Sequence, residues 1–209
     1  MKPPAIRQAE TWPSIRPRKR IARWVAGLFL GMLLLVVCRV SVADAGVPLA
    51  LQARLVSRLG AFDRNFKARA GPLANVLVLH RAGNAESTFE GASLARALSE
   101  LDKIGDVPAR VEDREFVDAE WVAQRCRTAG IAIVYLTVGL ESDTRRIANA
   151  LAGVDVLTVG TSARHAENGA VVGFALEEAR PKLVLNLKQA AAQNVKFKAE
   201  VLQLARIVE

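Results

Sequence analysis

The sequence predicts a three-layer α/β domain: a mostly parallel sheet with helices on both faces, plus a carboxy-terminal antiparallel hairpin and closing helix. Three observations predict it. Short continuous apolar runs, Val76–Leu79 and Ile131–Leu136, have the character of strands covered on both faces. Stretches of helical period alternate with such runs, the pattern of parallel strands joined by crossover helices. Near the end, two β-like runs flank the loop sequence Glu177-Glu178-Ala179-Arg180-Pro181, which reads as a hairpin.

Residues 1–45 stand apart from this domain. Trp24 to Cys38 is a run of 15 residues without a charge, ended by Arg39. Crossing a bilayer takes roughly 20 apolar residues, whereas the core of a secretory signal has roughly 7–15. Arg16, Arg18, Lys19, Arg20 and Arg23 form a positive flank upstream, and Ala43-Asp44-Ala45 supplies small residues for signal peptidase. The segment therefore reads as a signal peptide cleaved after Ala45, with residues 46–209 as the exported domain; an inner-membrane anchor is the alternative. Cys38 follows Val37 rather than a small residue, which excludes a lipoprotein acceptor, and no twin-arginine pair precedes the run.

The elements of the domain follow in order. Leu51, Leu55, Leu59, Phe62 and Phe66 recur at helical spacing, predicting an amphipathic helix from about Pro48 to Phe66, ended by Gly71-Pro72. The strand Val76–Leu79 leads through Gly83-Asn84 into a helix from about Ser87 to Leu101, with Leu94, Leu98 and Leu101 on one side. A weak strand near Ala109–Val111 precedes a helix over Asp118–Arg127 that buries Trp121 and Val122. Ile131–Leu136 is the strongest buried strand. Ser142-Asp143 caps a helix through Leu151, and Val154–Val159 forms a further strand closed by Gly160. Ala170–Leu176 and Lys182–Leu187 are the hairpin strands, and Val201, Leu202, Leu204, Ala205 and Val208 mark the closing helix.

Charge narrows the function classes. The chain has 29 Lys/Arg and 21 Asp/Glu, a net +8 that invites a nucleic-acid reading. Eight of those cations and two of the acids lie in residues 1–45, leaving 21 against 19 in the domain. A nucleic-acid binder keeps its positive stripe in the folded part, so no nucleic-acid partner is expected. After cleavage Cys126 is the sole cysteine, which leaves no internal disulfide and reads as a small buried residue on a helix.

Catalytic and cofactor motifs are missing from the sequence: no phosphate loop, dinucleotide fingerprint, HExxH, CxxC or GxSxG. No cofactor, metal site or catalytic residue is expected. His80 ends a buried strand at the side of a parallel sheet where ligand crevices form, and the helix starting near Ser87 has free N–H groups. His80 and Ser87 are thus the candidate ligand site, although a strand exit and a helix cap are the simpler explanation of the two residues. His165, in TSARHAENG, reads as solvated on a short surface helix, and Glu177-Glu178 as a solvated turn. Asp63, Arg64 and Asn65 lie between two phenylalanines expected to be buried, and form a candidate partner-binding cluster.

The stretch from Val154 to Val208 resembles the end of the YfiR family of small periplasmic proteins. The matching residues are Val156-Leu157-Thr158-Val159-Gly160, Gly169, Asn186-Leu187 with Ala190 and Ala191, and Leu202 with Leu204-Ala205. Ala170 replaces the second glycine of the family's pair, AFDRNFKARAG replaces its usual opening, and the domain lacks a cysteine pair. The resemblance implies a non-catalytic regulator whose partner is an inner-membrane signalling protein, a diguanylate cyclase held in check through its periplasmic part. A homodimer is a further assembly left open, and a periplasmic small-molecule binding protein is the alternative function. In the motif, Gly160 and Gly169 are expected at turns of positive φ and Asn186 at a strand end in a hydrogen-bonding role.

Overall fold

The computed structural model describes residues 46–209. The expected signal peptide, with Cys38 and the expected cleavage position after Ala45, lies outside the described residues. Residues 46–209 form one compact unit.

The amphipathic stretch breaks into two helices, α1 (Leu49–Phe62) and α2 (Phe66–Ala70). The expected single helix to Phe66 is interrupted because Asp63 takes an extended backbone and bridges Phe197. The inward stripe of α1 is Gln52, Ala53, Val56, Leu59 and Gly60, while Phe62 is 36% exposed. Of the two phenylalanines expected in the core, only Phe66 is there.

Strand β1 (Ala74–His80) is buried at every position except Asn75. Helix α3 (Ala85–Ser99) begins two residues before the predicted start, because Asn84 caps it by accepting from the Ser87 N–H at 3.0 Å. A two-residue strand β2 (Lys103–Ile104) then turns into β3 (Val107–Glu115), much longer than expected. Helix α4 (Ala119–Ala129) is capped by Asp118, which accepts from the Trp121 N–H at 2.7 Å; Trp121 is half-buried. Strand β4 (Ile131–Leu136) is wholly buried. Helix α5 (Thr144–Ala150) follows Asp143 without a side-chain cap, so the capping role expected of Ser142-Asp143 is absent.

Strand β5 (Leu157–Gly160) and the short helix α6 (Ala163–Glu167) precede the hairpin of β6 (Val172–Glu177) and β7 (Arg180–Asn186). Its turn residues Glu178 and Ala179 both have positive φ, 50° and 59°, the signature of a type I′ turn. Helices α7 (Leu187–Ala192) and α8 (Ala199–Leu204) lead to β8 (Arg206–Val208). The closing helix thus stops at Leu204, and the residues beyond it become a strand.

The eight strands run in the order β2-β3-β1-β4-β5-β6-β7-β8. Only β2/β3 and β6/β7 pair antiparallel. The hairpin does not end the sheet, since β8 pairs parallel with β7 through Val184–Asn186. Pro181 is tolerated in β7 because that pairing does not reach it. Val76, Val78, Ile133 and Tyr135 pack with α1 and α3 on one face, while Leu77, Leu79, Val134 and Leu136 pack with α4 and α5 on the other. The three-layer, mostly parallel architecture is the one the sequence predicts.

Candidate functional site

Because β1, β4 and β5 are parallel, their carboxyl ends meet along one rim and bring together loops distant in sequence. His80, the last residue of β1, is 8% exposed and its Nδ1 lies 2.8 Å from the Asp113 carboxylate on β3. Ser87 is fully buried. Its Oγ accepts from the Arg81 N–H at 2.8 Å and lies 2.8 Å from Thr137 Oγ1. Thr137 donates its own proton to Leu79 O at 2.9 Å, so Ser87 is the donor between the two hydroxyls. Ser87 therefore ties two loops together, neither capping α3 nor presenting a surface to a ligand. Arg81 extends the tie: its Nε donates to Gly139 O at 2.5 Å and its guanidinium pairs with Asp143.

Further along the rim, Glu90 accepts from the Val138 N–H at 2.5 Å and from Thr161 Oγ1 at 3.1 Å. Burial pushes its carboxyl above the usual carboxylate range, those two hydrogen bonds work against the shift, and Glu141 and Glu86 add to it. His165 is fully buried, not solvated as expected. Its Nε2–H donates to Thr137 O at 3.2 Å, and Nδ1 accepts from the Ser162 hydroxyl at 3.0 Å. Burial holds the ring below the usual histidine range, with Glu141 and the hydrogen bonds pulling the other way. Gly160 makes room for this ring. A Cβ built on it would overlap His165 Cβ and Cγ, so its expected turn role gives way to close packing within β5. Gly169 does take a positive φ, 110°. Asn186 accepts from the Gln189 N–H at 2.8 Å and donates to Ala166 O at 3.1 Å, capping α7 and holding α6.

The cluster Asp63, Arg64 and Asn65 is split by the structure. Asp63 is 4% exposed and accepts from Arg69 at 2.6 Å, with both side chains buried. It also accepts from the Lys196 N–H at 3.0 Å, and Arg69 reaches Asp155 at 2.7 Å. Removing one partner from such a pair costs about 3–5 kcal/mol, so Asp63 holds the fold and has no face for a partner. Asn65 is half-buried and donates to Asn194 O at 2.8 Å. Arg64 alone points to solvent. It lines an open groove of about 310 Å³ with Lys67, Asp106 and Lys198.

Glu90, Thr137, Gln52 and Arg69 are the site and support residues that sequence reasoning missed. Gln52 links the Tyr135 hydroxyl, at 2.8 Å, to Thr161 O, at 3.1 Å, across the core. Helical spacing held part of the signal: Gln52 is four before Val56, and Glu90 three after Ser87 and four before Leu94. Cys126 is buried on α4, and burial pushes its thiol up to about 12, leaving it protonated. Among the described residues no group of His, Cys, Asp and Glu is arranged to hold a metal, and no helix is long and apolar enough to cross a membrane.

With the sheet order and this rim in place, residues 50–206 match the family described as YfiR/HmsC-like. The chain belongs to the YfiR/HmsC-like family. No curated protein matches it. The YfiR/HmsC-like domain is similar in fold to three solved structures. A conserved domain protein from Vibrio cholerae is 12% identical with a TM-score of 0.59, over 79% of this chain and 61% of that one. The ABC domain in complex with L-Trp from Streptococcus pneumoniae is 11% identical with a TM-score of 0.55, over 77% and 62%. A ligand-free, open substrate-binding protein with adhesive properties from Clostridium difficile is 12% identical with a TM-score of 0.50, over 69% and 57%. The chain spans about three fifths of the length of each, and at these identities the likeness is one of fold.

Proposed function

We propose that this chain is exported to the periplasm and acts as a non-catalytic regulator, binding the periplasmic sensor part of an inner-membrane diguanylate cyclase. The family match over residues 50–206 carries this reading. Regulation through a protein partner needs an exposed surface, and the groove at the α1–α2 break offers one. Arg64, Lys67 and Lys198 face Asp106 there, beside the half-exposed Phe62, whose ring lies 5.6 Å from the Lys198 Nζ. Arginine and aromatic anchors of this kind carry a large share of interface energy. The expected partner surface is acidic, with an apolar contact for Phe62.

Arg64→Glu tests the surface. The variant folds normally, because the side chain is exposed and only the Arg64 backbone is tied down, its N–H donating to Lys196 O. Capture of the cyclase from solubilised membranes is expected to weaken about tenfold, with cellular cyclic-di-GMP changed accordingly. Unaltered capture and unaltered cyclic-di-GMP would remove this surface from the proposal. Gene deletion with no effect on cyclic-di-GMP would remove the cyclase.

A second reading, a small-molecule binding protein, draws on the fold shared with a structure holding L-Trp and with a substrate-binding protein. The strand-end rim at His80 is its site. Calorimetry against amino acids, with His80→Ala as control, separates the two readings.

A further inference from the structure

A second polar cavity lies away from both the rim and the α1–α2 groove. Asn75 of β1, Arg110 and Glu112 of β3, and Arg125 of α4 line a cleft of about 160 Å³. Parallel register sets Asn75 beside Arg110 and Leu77 beside Glu112, and alternation puts Arg110, Glu112 and Arg114 on one face of β3. Arg125 and Ala129, one helical turn apart on α4, overhang that face.

The charges are unbalanced. Three guanidinium groups, of Arg110, Arg114 and Arg125, meet a single carboxylate, that of Glu112. Arg125 spends one Nη on both Glu112 oxygens, at 3.0 and 2.9 Å, and Arg114 Nε reaches the same carboxylate at 2.5 Å. These hydrogen bonds, Arg114 first, hold Glu112 below the usual carboxylate range, so it stays ionised and is fully engaged. Two sets of donors are left over. The Arg125 Nε is buried without a hydrogen-bond partner among the described residues. Arg110, exposed at the mouth, has neither ion pair nor side-chain hydrogen bond among them. Arg110 and Arg125, the latter with its side chain 37% exposed, both line the cleft, where an oxyanion would add charge-assisted hydrogen bonds to their guanidinium groups.

We propose that this cleft is an oxyanion site, in which Arg110 and Arg125 hold a phosphate group. Glu112 fixes the Arg125 guanidinium in the wall of the cleft. The occupant is the free ion or a phosphoester carried on a larger molecule.

Calorimetric titration of the full chain with inorganic phosphate, at constant ionic strength in chloride, tests the site. Saturable binding is expected, weakened about tenfold or more in Arg110→Ala and in Arg125→Lys, the equivalent of one lost charge-assisted hydrogen bond. Arg125→Lys keeps the charge but loses the planar guanidinium fork, so it separates a built site from general attraction. Arg110→Ala has no ion pair to break, so its fold is not at risk. Arg54→Ala, on the exposed face of α1, is expected to bind like the parent chain. Tighter binding of glycerol 3-phosphate than of phosphate assigns a phosphoester, and the reverse assigns the free ion. No saturable binding of either, or equal binding in all three variants, overturns the proposal.

Discussion

His165 and Glu90 sit on the same rim and respond to acid in opposite senses. The buried His165 ring resists the proton that the unfolded chain takes up as pH falls below 6.5, so this residue loses stability on acidification. Glu90 behaves inversely. Its raised carboxyl takes a proton in the folded state while the unfolded one, with an ordinary value of 4.5, is still ionised. Stability from Glu90 is therefore complete below 4.5 and is lost as pH rises through the raised folded value. In the parent chain the two trends partly cancel. Glu90→Gln removes one of them, so its melting temperature is expected to fall more steeply than the parent's from about pH 7 to about pH 5. Parallel melting curves for the two proteins would show that Glu90 does not titrate as its burial requires. Neither residue announced this in the sequence. A histidine in TSARHAENG has polar neighbours on both sides, and only the fold, by laying α6 on β5, seals it from water.

At the scale of elements, the hairpin is the place where local chemistry and backbone geometry disagree. Glu178 and Ala179 both occupy the left-handed region, which costs roughly 1–2 kcal/mol per ordinary residue. Asn-Gly is the pair this turn prefers. Glu178→Asn combined with Ala179→Gly is expected to raise the melting temperature, by about 1 kcal/mol of added stability in chemical denaturation. A loss of stability would mean that the two side chains make contacts outweighing the strain. The same hairpin shows what was legible. Its two apolar runs and the loop between them were visible in sequence, as were β1 and β4, because strands buried on both faces are continuous apolar runs. The edge elements were not. Strand β8 has three residues and β2 two, and β3 ends in four consecutive charged residues, Glu112 to Glu115, with only Val107 fully buried. The break between α1 and α2 was hidden for another reason: the buried Asp63–Arg69 pair that fixes it depends on residues 194–197, far along the chain. Of the candidate site, His80 was legible from its position at a strand end, and Arg64 from its place beside an aromatic. Their partners Asp113 and Lys198 come from remote segments that only the topology brings near.

For the whole molecule, the near balance of charge in residues 46–209 suits the proposal that this domain works without residues 1–45. Mass spectrometry of envelope fractions is expected to find an amino terminus at Gly46. Intact chain beginning at Met1 in the membrane would instead establish an anchor, leaving the domain tethered beside its proposed partner. Release and tethering predict different behaviour: a released regulator acts in proportion to its concentration in the periplasm, whereas an anchored one acts by proximity.

Gly160 and His165 carry a consequence for descent. A Cβ at position 160 would meet His165 Cβ at 2.0 Å, closer than any ring atom, so any side chain at 165 holds position 160 to glycine. A lineage that acquires alanine or serine at 160 must first reduce 165 to glycine or move the short helix off the strand, and one that keeps the histidine keeps the glycine. Among relatives, glycine is expected at 160 wherever 165 carries a side chain, even though neither residue touches the groove or the phosphate cleft. Part of what looks like functional constraint in the family motif is then a record of one steric bargain struck under a short helix.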